Sequence, residues 1–190
     1  MKAFVLAEPG KVKWFDAPEP QLVPYGAILK PVAVTPCSSD VHTVFGGGSK
    51  KQDNLVLGHE CIAEVVSVGE NVCDFKTGDR VAVPAITPDW REKSIQEGND
   101  RHASAPFSGH QLGRTQPGVF SERFLIKDAD TTLAHIPQKI SEEQALMSVD
   151  VVTTGFTGAE YADIKIGDTV CVIGIGPIGL MAVAGAKLRG

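Results

Sequence analysis

Three residues of this sequence supply the donor atoms that a catalytic metal site uses: Cys37, His59 and Asp150. A catalytic zinc ion needs about three protein ligands and one open position for water or substrate, and thiolate, imidazole and carboxylate all suit it. Taken singly, each residue has a simpler explanation as a buried thiol, a structural histidine or a capping aspartate. The donor types therefore indicate a zinc site, while their wide separation along the chain leaves it a hypothesis.

A glycine motif near the end of the sequence is suited to binding a dinucleotide. It follows an apolar run at 168–173, which predicts a buried strand, and precedes a helical pattern at 180–189. This strand–turn–helix context lets the backbone approach a pyrophosphate at a helix N-terminus. The residues expected to contact the cofactor are Gly174, Gly176, Pro177, Ile178 and Gly179. The residue that separates NAD from NADP lies about 20 positions further on, beyond Gly190.

Strand patterns dominate the part of the sequence that must position the metal donors. Alternating or β-branched runs predict strands at 3–6, 12–15, 27–34, 62–69, 78–84 and 119–126. Pro31, within the third run, predicts an edge position or a bulge. Residues 87–117 are polar and lack periodicity, which predicts a long loop or lobe. Ser141 and Gln144 form a capping box, so we expect a helix to begin near Ser141.

The pattern changes from all-β to alternating strand and helix at about residue 150. The sequence therefore predicts a mainly β catalytic domain over 1–152, followed at 153–190 by the first β-α unit of an incomplete Rossmann-type domain. The segment 170–186 contains no charged residue, but it is too short and too rich in glycine to predict a membrane span.

Composition excludes several other classes of protein. The formal net charge is −5 and no Lys/Arg-rich run is present, so we expect no nucleic-acid partner. The four cysteines include no Cys-x-x-Cys pair, which argues against a secreted disulfide framework, and the apolar run at the N-terminus is too short for a signal peptide. We therefore expect a cytoplasmic protein.

Several segments together resemble the zinc-containing medium-chain dehydrogenase/reductase family. The matching segments, in family order, are 36–42, 58–60, 65–69, 78–81 and 174–179. Two further segments, 83–91 and 150–156, resemble the NADP-dependent secondary alcohol dehydrogenases of anaerobic bacteria and protists. The resemblance covers the whole chain and implies a GroES-like fold for the β domain.

The resemblance also implies how the metal is held. One catalytic zinc would be bound by Cys37, His59 and Asp150, with Glu60 as a carboxylate that can join or leave the metal. The zinc would act as a Lewis acid on the oxygen of a small alcohol, and a hydride would pass to NADP to give a ketone or aldehyde. Residues 84–120 contain no cysteine, so we predict no structural zinc.

Other positions match residues that act on the substrate in the family. Ser39 and His42 match a relay that carries the hydroxyl proton to solvent. The residues that match the substrate pocket are Ala85, Ile86 and His110. Relatives often have a bulky aromatic residue at the position of His110, so an imidazole there either makes the pocket more polar or lies on a surface loop. Ala63 replaces a glycine that is usual in the family, which is tolerated unless that site needs positive φ.

Four functions remain open at the level of sequence. The favoured one is a small-molecule alcohol dehydrogenase, for which the chain would be the N-terminal part of a longer enzyme that forms a homo-oligomer, a tetramer by resemblance. A non-catalytic GroES-like binding module and a polyol or threonine dehydrogenase are the alternatives. Cys37 and the intact Gly58-His59-Glu60 segment argue against a zinc-free quinone reductase.

Overall fold

The computed structural model describes residues 1–46, 54–98 and 109–190. The strands are β1 Lys2–Glu8, β2 Lys11–Asp16, β3 Ala27–Thr35, β4 Leu55–Val56, β5 Glu60–Val68, β6 Arg80–Val83, β7 Phe124–Ile126 and β8 Ala134–His135. The helices are α1 Ser38–Val44, α2 Lys93–Gln96, α3 Ala129–Thr132, α4 Glu142–Met147, α5 Thr153–Tyr161 and α6 Pro177–Arg189, and a π-helical segment, Ser148–Val152, joins α4 to α5.

Two antiparallel sheets form the β domain. One has the order β2-β1-β4 and the other β7-β3-β5-β6-β8. Side chains on one face of the larger sheet, among them Leu29, Val65 and Val81, are fully buried in its core. This alternation of buried and exposed positions is what a half-buried sheet requires, and it confirms the predicted mainly β domain.

The predicted bulge at Pro31 is present. The pairing of β3 with β5 changes register between Pro31 and Ala33, and β7 pairs with β3 only as far as Leu29. No neighbouring strand on the β7 side therefore needs the backbone donor that proline lacks. Ala63, opposite Pro31, lies within β5 and does not have a positive φ. A residue larger than glycine therefore fits there.

The turn into β5 fixes the direction in which that strand begins. Gly58 has φ +89°, and a Cβ atom at this position would overlap the ring of Phe120. The Gly58 carbonyl accepts a hydrogen bond from the Val119 amide at 3.1 Å. Both the backbone conformation and the lack of space therefore require glycine immediately before His59.

A continuous helical run packs across the end of the larger sheet. The Ser141 hydroxyl accepts a hydrogen bond from the Gln144 amide at 3.3 Å, and the Gln144 side chain accepts one from the Ser141 amide at 3.1 Å, so the capping box is confirmed. Ala145 and Val149 bury their side chains against Ile62 of β5. The run continues to Tyr161, through the predicted boundary at 152, so that boundary stays a prediction.

The predicted strand at 168–173 is wrong. These residues form no strand, and Val170 and Ile173 are exposed. A strand needs a hydrogen-bonded neighbour, and the part of the chain that the structure describes places none beside this run. The helical half of the predicted β-α unit does form, as α6, which packs on α5 where Gly155 and Gly185 allow close approach.

The predicted lobe contains more local structure than its sequence suggested. It includes the short helix α2 and a bridge between Leu112 and Gln116, while 99–108 lie outside the described residues. No described helix is long and apolar enough to cross a membrane.

Candidate active site

Four side chains converge where β3 ends and β5 begins. The donor atoms of Cys37, His59, Glu60 and Asp150 all lie within 4.8 Å of one another. Cys37, two residues after the end of β3, is the N-cap of α1, and the pairing of Thr35 with Glu60 brings the two strand ends together. Asp150 reaches the same point from the π-helical segment. The structure thus gathers the four residues expected to hold the metal.

His59 is buried, and its two ring nitrogens face different groups: Nε2 faces the other donors and Nδ1 faces Asp40. Its Nε2 lies 3.8 Å from a carboxylate oxygen of Asp150 and 3.9 Å from one of Glu60. Its Nδ1 lies 3.4 Å from Oδ1 of Asp40 on the opposite side. The ring therefore directs Nε2 at the other donors, which is the orientation that a metal-binding histidine needs.

Asp40 holds this arrangement together, although the sequence analysis gave it no role. Its carboxylate accepts hydrogen bonds from the backbone amides of Cys37 at 2.9 Å and Gly58 at 3.1 Å, and it is buried. Burial acts to raise the pKa of Asp40, but His59 and the two amides outweigh it and keep the pKa below its usual value. The sequence does contain a signal for this role: Asp40 is an acidic residue three positions after the N-cap Cys37. An acidic residue at that position often accepts a hydrogen bond from the N-cap amide.

A second orienting contact holds Asp150. The Thr154 hydroxyl donates a hydrogen bond to Oδ1 of Asp150 at 2.6 Å, while Oδ2 is the oxygen that lies near His59. Thr154 is one helical turn further along the same run, so the backbone places its hydroxyl above the carboxylate. The sequence analysis assigned no role to Thr154 either.

The electrostatics of the cluster favour a bound cation. Burial acts to lower the pKa of His59, but Asp40 and Cys37 raise it to about 10. A hydrogen bond from His59 lowers the pKa of the Cys37 thiol, and burial together with the charge of Asp150 raises the pKa of Glu60. Glu60 also has a buried Oε2 with no hydrogen-bond partner among the described residues. An unpartnered buried carboxylate oxygen is costly, and a divalent cation would satisfy it, so the donor set fits zinc.

A small cavity of about 110 Å³ opens beside the donors. Its lining residues are Ser39, Asp40, His42, Thr43, His59, His110, Gly113 and Arg114. The structure thus places both expected relay residues and His110 at one cavity. Ser39 Oγ lies 3.4 Å from His59 Nε2, and His42 is exposed.

His110 packs its ring edge-to-face on His59, with 4.5 Å between the ring centroids. Burial, together with the positive charges of His59 and Arg114, lowers the pKa of His110 to about 4. The ring is therefore neutral near pH 7.

The other two residues expected in the substrate pocket, Ala85 and Ile86, lie next to the chain segments that carry Asp150 and His110. The Ala85 amide donates to the carbonyl of Val149 at 3.2 Å, and the Thr87 amide donates to the carbonyl of Gly109 at 2.8 Å. Ile86, between them, is thus held between the neighbours of Asp150 and His110. A larger cavity of about 240 Å³ lies between the lobe and β7, but it contains none of the metal donors.

The glycine motif adopts the turn expected of it at the start of α6. Gly174 has φ +91°, Gly176 is the N-cap and Pro177 is the first helical residue. A Cβ atom on Gly179 would overlap the carbonyl oxygen of Gly174. The close approach at Gly179 is therefore to the turn itself, rather than to a strand.

Comparison with known proteins agrees with this geometry. The family described as alcohol dehydrogenase GroES-like domain matches residues 24–138. The chain belongs to this GroES-like alcohol dehydrogenase family. It is 53% identical over 190 residues to an NADP-dependent isopropanol dehydrogenase of Thermoanaerobacter brockii and 48% identical to one of Clostridium beijerinckii, and it covers 54% of each.

Solved structures of alcohol dehydrogenases share the fold. The apo form of zinc dependent alcohol dehydrogenase 2 from Streptococcus pneumonia matches all of this chain with a TM-score of 0.88 and 30% identity. The match covers 53% of that chain. The chain thus spans about half the length of these relatives.

Replacing Cys37 by Ala should abolish stoichiometric zinc binding, because Cys37 supplies the only thiolate of the donor cluster. Zinc would be measured by mass spectrometry after gel filtration of the 190-residue chain. Cys73→Ala is the matched control, since Cys73 is exposed and outside the cluster, and it should keep about one zinc per chain. Full zinc retention in Cys37→Ala would show that the assignment is wrong, and a second zinc in the unaltered chain would contradict the prediction that there is no structural zinc.

Proposed function

We propose that the protein that carries this chain is a zinc-dependent alcohol dehydrogenase, which interconverts small secondary alcohols and ketones with NADP(H). The observation that carries the proposal is the convergence of a thiolate, an imidazole and two carboxylates beside a small cavity. The names of the relatives at 53% and 48% identity support the substrate class and the cofactor. A homotetramer in the cytoplasm stays a prediction.

The metal and the side chains around it have separate tasks in this proposal. Zinc would be bound by Cys37, His59 and Asp150, and Glu60 is a carboxylate that can join or leave the metal. The metal would supply the Lewis acidity that makes an alcohol hydroxyl acidic near neutral pH. Asp40 fixes the imidazole orientation through Nδ1, so that Nε2 stays directed at the donor cluster.

The hydroxyl proton needs a route to solvent, and two residues at the cavity supply one. Ser39 Oγ lies 3.4 Å from His59 Nε2, at the edge of the donor cluster. Ser39 and His42 line the same cavity, and His42 is exposed. A serine hydroxyl can accept one proton while it donates another, so the proton passes from the substrate hydroxyl to Ser39 and from there to His42, whose imidazole releases it to solvent.

Hydride transfer also requires a nicotinamide held close to the carbinol carbon. The turn at Gly174 and the N-terminus of α6 supply part of a pyrophosphate site, with Gly176, Pro177, Ile178 and Gly179 as its other residues. The backbone of this turn would hold the phosphates of a bound cofactor, while the remainder of a nucleotide domain would orient the nicotinamide.

A steady-state comparison of alcohols tests the substrate and the cofactor. We expect kcat/KM for propan-2-ol with NADP to exceed the value for ethanol by about tenfold or more, as one extra methyl group in an apolar pocket allows. A preference for sorbitol or threonine would instead indicate the polyol or threonine class, and a strong preference for NAD would contradict the cofactor. Bound zinc without turnover of any alcohol would favour a binding module.

Removal of the Ser39 hydroxyl tests the proton route. Ser39→Ala should lower kcat for alcohol oxidation by about a hundredfold, the lower end of what a positioned proton-transfer group contributes. Ser39→Thr keeps a hydroxyl at the same position and should retain most of the activity. Equal rates for the alanine variant and the unaltered protein, with zinc content unchanged, would rule Ser39 out of the relay.

A further inference from the structure

His110 lines the cavity and carries a polar atom that the proposed chemistry does not use. Nε2 of His110 is buried and has no hydrogen-bond partner among the residues that the structure describes. Leaving such an atom without a partner is costly in a folded protein, so an unpartnered buried nitrogen at a cavity calls for a ligand group or a water molecule.

The position of His110 relates this nitrogen to the donor cluster. Its ring centroid is 4.5 Å from that of His59, whose Nε2 faces the other metal donors. Both rings line the cavity of about 110 Å³. A substrate oxygen at the donor cluster therefore leaves the next carbon of the same substrate within reach of the His110 ring. The cavity is small beside the roughly 300 to 1,000 Å³ of pockets that hold drug-sized ligands, so it suits molecules of a few carbon atoms.

The hydrogen-bonding capacity of the imidazole nitrogen selects the group that would bind. Depending on the tautomer, Nε2 is a donor or an acceptor. A hydroxyl group can match either form, because it both donates and accepts, whereas a carbonyl oxygen matches only one and an alkyl group matches neither.

We propose that His110 selects substrates with a hydroxyl group beside the reacting carbon, namely vicinal diols and α-hydroxy ketones, through a hydrogen bond from that hydroxyl to Nε2. This inference rests on the proposed function, because it assumes that the reacting oxygen lies at the donor cluster. It makes His110 a residue that determines specificity, and a site built to hydrogen-bond one group discriminates against analogues that lack it.

His110→Phe tests the inference, since it keeps an aromatic ring and removes both nitrogens. The measured quantity is the ratio of kcat/KM for reduction of 3-hydroxybutan-2-one to that for butan-2-one. The ratio should fall by about three- to tenfold in this variant, as expected for the loss of one neutral hydrogen bond. His135→Phe is the matched control, because His135 is exposed and stacks on Phe75 away from the cavity, and it should leave the ratio unchanged. An unchanged ratio in His110→Phe overturns the inference.

A binding experiment on the unaltered protein keeps the two proposals separate. Long-range nitrogen–proton NMR spectra of histidine-labelled protein report each imidazole nitrogen, and His110→Phe identifies the signals of His110. The Nε2 signal should shift with 3-hydroxybutan-2-one and stay in place with butan-2-one. Equal responses to both ketones, or no response to either, overturn the role of His110. Failure to reduce butan-2-one at all contradicts the proposed function, and the NMR comparison then decides the role of His110 by itself.

Discussion

The carboxylate of Asp40 joins the two chain segments on which the rest of the site depends. One oxygen accepts from the Cys37 amide, and the other accepts from the Gly58 amide and faces Nδ1 of His59. A buried carboxylate with three such partners is stable only while all of them stay in place. The start of α1 and the start of β5 are thereby held at one distance, and this distance sets the separation of the thiol from the imidazole.

Other parts of the fold place the two remaining donors, Glu60 and Asp150. The β3–β5 pairing places Glu60 opposite Thr35, and the helical run that packs on Ile62 brings Asp150 to the same point. The extra residue of a π-helical turn shifts the side chains that follow it around the helix axis, and such turns are frequent at functional sites. The donor cluster thus depends on tertiary packing between segments that are distant in sequence.

The sequence predicted the features that depend on local chemistry. Strand periodicity identified β3 and β5, and the Ser141–Gln144 capping box located the start of α4. Donor types together with family resemblance selected the four residues whose donor atoms the structure brings together. A strand at 168–173 was predicted from apolar residues alone and was wrong, because strand formation depends on a partner as well as on composition. The positioning roles of Asp40 and Thr154 were missed, since they depend on which backbone amides and carboxylates meet in three dimensions.

The proposed function requires that one thiolate, one imidazole and carboxylate oxygens surround a single metal ion at this junction. X-ray absorption at the zinc edge of the 190-residue chain, loaded with one equivalent of zinc, measures those ligands directly. We expect one sulfur at about 2.3 Å, with nitrogen and oxygen ligands at about 2.0 to 2.2 Å completing the shell. The chain has four cysteines, so a shell with two or more sulfurs is chemically available. Such a shell, or one with no sulfur, would show that Cys37, His59 and the two carboxylates do not hold the metal together.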